Sequence, residues 1–123
     1  EVQKLTATGI VLGTPEFMSP EQIRGKPLDG RSDIYALGVL GFEMFTGALP
    51  FTGRSAQEMM IARLRGQPKN LRDVKPDLPA TLEAVIAKAL ASEPAGRYQT
   101  MGEFAVALQG SVESSVLAKL FGR

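Results

Sequence analysis

The chain of 123 residues has the length of one domain, and its hydrophobic content of 44% is enough for a packed core. A net charge of +1 gives no reason to expect nucleic acid or an anionic membrane surface as its main partner. The chain contains neither histidine nor cysteine, which excludes disulfides, thiolate chemistry and a histidine general base within it and suits a reducing cytoplasm.

The first predicted helix is short and follows a loop. Residues 1–14 mix threonine, glycine and scattered apolar residues without periodicity, which predicts an exposed loop. Ser19 is then a good N-cap, Pro20 suits the first helical position, and Gln22 completes a capping box. This pattern predicts a helix through about Arg24, ended by Gly25 and a following proline.

Residues 31–47 form the stretch around which we expect the domain to be built. A surface helix shows an apolar stripe about 100° wide, but here large apolar residues occur on nearly every face. Gly47 followed by Pro50 is a stop signal, and the stretch is too short for a membrane span of roughly 20 apolar residues. The pattern therefore predicts a buried central helix. Asp33 is either an acid favoured by the helix dipole or a brace for another loop.

Three later helices are predicted over about residues 55–65, 80–91 and 100–109. Capping boxes begin the first at Ser55 and the last at Thr100, and apolar residues at helical spacing mark the second. The first lacks a clean apolar stripe, so we expect it to be more exposed. Residues 66–79 contain three prolines and predict a loop. Residues 111–123 predict a tail, with an amphipathic helix as one interpretation of its apolar spacing. No strand pattern is evident, so the predicted fold class is all-α.

Four phrases, in order, resemble one family, the protein kinases. Residues 13–21 (GTPEFMSPE) resemble the end of the activation segment, where the family usually closes on Ala-Pro-Glu. Residues 29–38 (DGRSDIYALG) look like the start of the kinase F helix, and residues 47–51 (GALPF) match the turn after it. Residues 93–98 (EPAGRY) resemble Asp-Pro-x-x-Arg-Tyr, before the last helix. The style is closest to bacterial Ser/Thr kinases, over about residues 6 to 109.

This resemblance implies the distal half of a kinase C-lobe. Residues 1–110 would be a partial kinase domain with the activation segment at 1–21. The glycine-rich loop, Val-Ala-Ile-Lys, His-Arg-Asp and Asp-Phe-Gly motifs are absent from the chain. We therefore expect no cofactor here and expect ATP and magnesium to bind the parent kinase elsewhere. The start at Glu1, without methionine or a secretory signal, predicts a fragment in the cytoplasm, whose parent could be anchored in a membrane elsewhere.

The resemblance also assigns residues to the substrate side. Thr14 would hydrogen-bond the catalytic aspartate and lysine, which supports Ser/Thr rather than tyrosine specificity. Glu43 would attract a basic substrate side chain, unless it is simply a solvated helix residue. A pocket for the residue that follows the phosphorylated one would be formed by Val11, Pro15 and Met18, unless these pack onto the domain instead.

Other residues are assigned to regulation and scaffolding. Thr6 and Thr8 lie where bacterial kinases often autophosphorylate, although they could be unmodified loop residues. Glu21 and Arg97 would form the family's buried ion pair, with separate surface charges as the alternative. Asp33 would accept N–H bonds from a catalytic loop that this chain lacks.

Two functional hypotheses follow. The first is part of a Ser/Thr protein kinase that transfers the ATP γ-phosphate to a protein substrate. The second is a non-catalytic, pseudokinase-like module that docks partners through residues 55–65. Both make the remainder of the kinase domain or a second copy of the chain a candidate partner, because the central helix needs neighbours on every side.

Overall fold

The computed structural model describes residues 15–120, and their side chains as far as residue 112. Within that range the chain is helical and has no strand, as predicted. The α-helices are α1 (Pro20–Ile23), α2 (Gly30–Thr46), α3 (Ala56–Arg65), α4 (Leu71–Val74), α5 (Ala80–Ala89) and α6 (Met101–Leu120). Two 3₁₀ turns, Pro15–Phe17 and Pro94–Gly96, precede α1 and α6.

Local sequence signals determine where α2 begins and ends. Asp29 is the N-cap, and its carboxylate accepts a hydrogen bond from the Arg31 N–H at 2.8 Å. Gly47 follows the last turn with a φ of 78°, the left-handed conformation that favours glycine at a helix C-terminus. The helix therefore begins one residue before the predicted boundary, and Asp33 lies in its first turn.

The core lies between α2 and α5. Tyr35, Val39 and Phe42 of α2 pack with the buried residues Phe51, Leu71, Leu82, Ile86 and Leu90. A second cluster joins Ile34 to Val85, Ala89 and Phe104, which brings in α6. Gly38 inside α2 allows this close packing, because a Cβ at that position would lie only 3.0 Å from the Cβ of Ala89.

One face of α2 is not covered by the described residues. Leu37, Leu40 and Met44 are 36%, 39% and 74% exposed, and they follow one another at helical spacing. Leu37 and Leu40 form a shallow apolar groove with Phe17 and Ala36. The described residues therefore surround the predicted central helix on only some of its sides.

The structure differs from the sequence predictions in two places. Residues 66–79 contain the short helix α4, because Leu71 inserts into the core at 2% exposure and the Arg72 N–H donates to the Glu83 carboxylate at 2.9 Å. Helix α6 runs through Gly110 to Leu120 without the interruption expected there, so the predicted last helix and the start of the tail are one continuous helix. A glycine inside a helix costs only about 1 kcal/mol, and the buried Ser111 hydroxyl next to it donates to the Leu108 carbonyl at 2.7 Å.

Between residues 15 and 120, no helix combines the length and the apolar character needed to cross a lipid bilayer.

Candidate functional site

The candidate site is the segment Pro15–Glu21, which a capping box holds in shape. The Ser19 N–H donates to the Gln22 side-chain oxygen at 2.7 Å, and the Gln22 N–H donates back to the Ser19 hydroxyl at 3.3 Å. The Met18 N–H donates to the Pro15 carbonyl at 3.4 Å and closes the preceding turn. Because Ser19 and Pro20 are buried, the short helix α1 directs Glu21 into the domain.

Glu21 meets Arg97 in a buried, two-pronged ion pair. Two Arg97 nitrogens, Nη1 and Nη2, donate to the two carboxylate oxygens of Glu21 at 2.6 and 2.8 Å. The Ser32 hydroxyl on α2 donates to the same carboxylate at 2.6 Å. The side chains of Arg97 and Glu21 are 0% and 7% exposed. The predicted contact is therefore present, across 76 residues of sequence.

The other N–H groups of Arg97 hold main-chain carbonyls. Nε donates to Ala91 at 2.8 Å, Nη1 to Arg31 at 3.0 Å and Nη2 to Ser92 at 3.2 Å. A guanidinium has five N–H donors, so this arginine is fully satisfied. It joins α1, the start of α2 and the chain after α5 at a single buried charge.

The ionised form of Glu21 is favoured in the folded state. Burial alone raises the pKa of Glu21, but the hydrogen bonds from Arg97 and Ser32 outweigh burial and lower the pKa below its usual value. The ion pair is therefore retained at neutral pH.

A second buried arginine, Arg63 of α3, holds the other end of the segment. Its Nη2 donates to the Glu16 carbonyl, and its Nη1 donates to the Met59 carbonyl at 3.0 Å. Burial lowers the pKa of Arg63, and the nearby Tyr35 and Glu16 oppose this shift. The side chain is 0% exposed. Sequence reasoning missed Arg63, because a cation in a helix without a clean apolar stripe is usually a solvated residue.

The two arginines are connected by a pair of stacked rings. The Arg97 guanidinium lies 4.8 Å from the centroid of the Tyr35 ring. Tyr35 stacks on Phe51 with a centroid distance of 6.4 Å, and Arg63 lies over the far ring at 5.0 Å. Such cation–ring contacts contribute about 2 kcal/mol or more when desolvated. Burial raises the pKa of the Tyr35 hydroxyl, so the ring stays neutral.

Asp33 is the most unusual residue near this network. It is 1% exposed, and neither of its carboxylate oxygens has a hydrogen-bond partner among the described residues. A buried carboxylate normally accepts several hydrogen bonds. The resemblance expects Asp33 to accept N–H bonds from a catalytic loop, and that expectation stays a prediction.

The other predicted site residues are only partly brought together. Pro15 and Met18 are half-buried and lie in one turn, whereas Glu43 is exposed on α2. Thr6, Thr8, Val11 and Thr14 lie outside the described residues. Across the range that the structure covers, no three histidine, cysteine or acidic side chains are grouped so that they could hold a metal ion.

Comparisons with a family model and with known proteins all match this chain to protein kinases. The family model described as "Protein kinase domain" matches residues 1–107. The chain is 41% identical over 111 residues to the serine/threonine-protein kinase Pkn1 of Myxococcus xanthus. It is 45% identical over 104 residues to the tyrosine-protein kinase MasK of the same species. It is 43% identical over 99 residues to the serine/threonine-protein kinase PknB of Mycobacterium tuberculosis.

The matches cover most of this chain but only a small part of each relative. They cover 90%, 85% and 80% of this chain, respectively, but only 16% of each relative. The chain therefore spans about a sixth of the length of the curated relatives it matches. The family match includes the Glu21–Arg97 pair and most of the helices described above. The chain belongs to the protein kinase domain family.

Proposed function

We propose that this chain runs from the activation segment to the last helix of a kinase domain. The protein that contains it would transfer the γ-phosphate of ATP to serine or threonine hydroxyls of protein substrates. The observation that carries the proposal is the buried Glu21–Arg97 pair, which fixes the segment Pro15–Glu21 against α2. A substrate-binding segment needs such support, because loosely held groups lose much of the benefit of orientation.

In this proposal, the chain contributes to substrate binding and to the scaffold. The half-buried Pro15 and Met18, together with Val11, would hold the residue that follows the phosphorylated one. Thr14 would orient the catalytic groups around the substrate hydroxyl. The exposed Glu43 would attract a basic substrate side chain. The remainder of the kinase domain would contact the uncovered face of α2 and the Asp33 carboxylate, which has no partner among the described residues.

ATP and magnesium do not fit the residues of this chain. None of the family's nucleotide-binding motifs occurs in its sequence. We therefore derive no step through the nucleotide, and we assign its binding to the remainder of the kinase domain as part of the proposal.

The class of hydroxyl is the finer part of the proposal. The Gly-Thr-Pro motif at residues 13–15 resembles that of Ser/Thr kinases. Two relatives are named serine/threonine kinases, but the relative MasK is named a tyrosine kinase. The proposal therefore needs a direct test on all three hydroxyl amino acids.

The test uses the complete protein, MgATP and three peptides that differ only in a central serine, threonine or tyrosine. We expect phosphate on the serine and threonine peptides and none on the tyrosine peptide. Phosphate on tyrosine alone would overturn the specificity. Failure to modify any peptide or to autophosphorylate would overturn the enzymatic proposal and leave the binding module. The Glu21→Gln variant should lose activity, whereas Arg31→Met is a control because Arg31 pairs with Asp29 at the surface.

A further inference from the structure

Arg63 is a buried charge for which the proposed function has no role. The other residues of α3 are half-buried or exposed. Burying a guanidinium is costly unless acceptors replace the lost water. Its described hydrogen-bond acceptors are two main-chain carbonyls, one in its own helix and one at Glu16. The bond to Glu16 is therefore the described hydrogen bond by which Arg63 reaches beyond α3, beside its contact with the Phe51 ring.

That contact falls next to the expected substrate pocket. Glu16 lies between Pro15 and Met18, inside the turn closed by the Met18 N–H. A carbonyl held by a charged donor is a strong restraint, because hydrogen bonds to charged groups are stronger than neutral ones. Arg63 thus restrains the backbone from which both pocket side chains project.

We propose that Arg63 is a positioning residue that holds the substrate-binding turn at Glu16 and so determines the affinity for the protein substrate. This inference rests on the proposed function for its consequence, but not for its geometry. Arg97 holds the same segment at Glu21, and the Tyr35–Phe51 stack connects the two arginines. One buried group of stacked side chains therefore holds the segment at both of its ends.

Loss of Arg63 should release one end of the segment and leave the other attached. The pocket turn would become less ordered, while the Glu21–Arg97 pair would keep α1 docked. Because Arg63 holds the substrate-binding turn, we expect weaker peptide binding with little change in nucleotide binding. A residue needed only for folding would instead reduce the fraction of active enzyme, which lowers the apparent kcat and leaves both KM values unchanged.

The first experiment measures peptide and MgATP kinetics of the complete kinase. We expect Arg63→Met to raise the KM for peptide about tenfold, which corresponds to the loss of one charge-assisted hydrogen bond. We expect the KM for MgATP and kcat to stay within about twofold. Arg63→Lys keeps one charged donor and should give an intermediate peptide KM. Arg65→Met, an exposed position on the same helix, is the matched control and should change nothing.

The second experiment does not depend on catalysis. Hydrogen–deuterium exchange of residues 15–22 should be faster in Arg63→Met than in the wild type and in Arg65→Met. Unchanged exchange would overturn the inference, and so would an unchanged peptide KM in the folded variant, with or without a lower apparent kcat. An inactive wild type would overturn the proposed function, and exchange would still decide the positioning role. If Arg63→Met does not fold, the same comparisons are made with Arg63→Lys.

Discussion

Breaking the Glu21–Arg97 pair should be among the most destabilising changes in this chain. Glu21→Gln keeps the shape but turns an amide N–H₂ toward the buried guanidinium, whose donors then face another donor. Removing one partner of a buried pair costs about 3–5 kcal/mol. For a domain of about 150–250 residues, this corresponds to a fall in Tm of about 6–20 °C. The folded domain would lose a large part of a typical stability of about 5–15 kcal/mol.

Arg97→Met should be worse than Glu21→Gln. It leaves the Glu21 carboxylate with the Ser32 hydroxyl as its described side-chain donor. It also removes the donors to the carbonyls of Ala91, Arg31 and Ser92, and each buried carbonyl left unsatisfied costs about 1–3 kcal/mol. The order of Tm values is therefore wild type, then Glu21→Gln, then Arg97→Met.

Thermal unfolding of the kinase domain that contains this chain measures these differences. Arg31→Met is the control, because its ion pair with Asp29 is exposed and surface pairs contribute little. An equal fall in Tm for Arg31→Met and Glu21→Gln, or a milder effect of Arg97→Met, would refute the reasoning.

The lowered pKa of Glu21 adds a dependence on pH. A carboxyl with a depressed folded-state pKa contributes stability above its unfolded pKa and loses that contribution as pH falls through the folded value. Wild-type Tm should therefore fall below about pH 4.5, the ordinary value for this carboxyl, more steeply than the Tm of Glu21→Gln. Parallel acid profiles for the two proteins would contradict this assignment.

Three further predictions concern other parts of the chain. Gly66→Ala should lower Tm more than Gly47→Ala, because both glycines have a positive φ but a Cβ at Gly66 would also lie 2.2 Å from the Ser92 hydroxyl. Equal shifts in Tm would contradict this prediction. The isolated chain should self-associate in analytical ultracentrifugation, and Leu40→Gln should weaken the association because Leu40 lies on the exposed apolar face of α2. A monodisperse wild-type monomer would refute the prediction. Mass spectrometry of the active parent should find phosphate on Thr6 or Thr8, and full activity of a double alanine variant without phosphate would count against that role.

The parts of the fold that depend on neighbouring residues could be predicted from the sequence. The N-cap bonds of Ser55 and Thr100 to the N–H groups three residues later are present at 3.2 and 3.0 Å, as their capping boxes indicated. Helix α5 begins where its apolar spacing begins, and Gly47 ends α2. These signals succeed because a cap or a periodic face involves residues within one or two turns.

The features that were missed depend on distant contacts. Arg63 is buried because Glu16 and Phe51 come to it from other parts of the chain, and no pattern within α3 indicates this. Leu71 forms part of a helix because it fills space beside α2 and α5, although the prolines around it favour a loop. The residues of the Glu21–Arg97 pair lie further apart in sequence than Arg63 and Glu16 do. The pair was predicted only through the family resemblance.

Helix α2 carries two kinds of side chain that lack suitable contacts among the described residues, and both lie on the same side of the helix. Asp33, Leu37, Leu40 and Met44 occur at intervals of four, three and four residues, which places them along one side of a helix. The first is a buried acid without a described partner, and the other three are exposed apolar side chains. A single folded body placed along that side would satisfy both the acid, which needs N–H donors, and the stripe, which needs apolar contacts. Such a neighbour would explain why α2 is apolar all round although the described residues enclose only part of it. Its remaining side is built for neighbours that these residues do not supply.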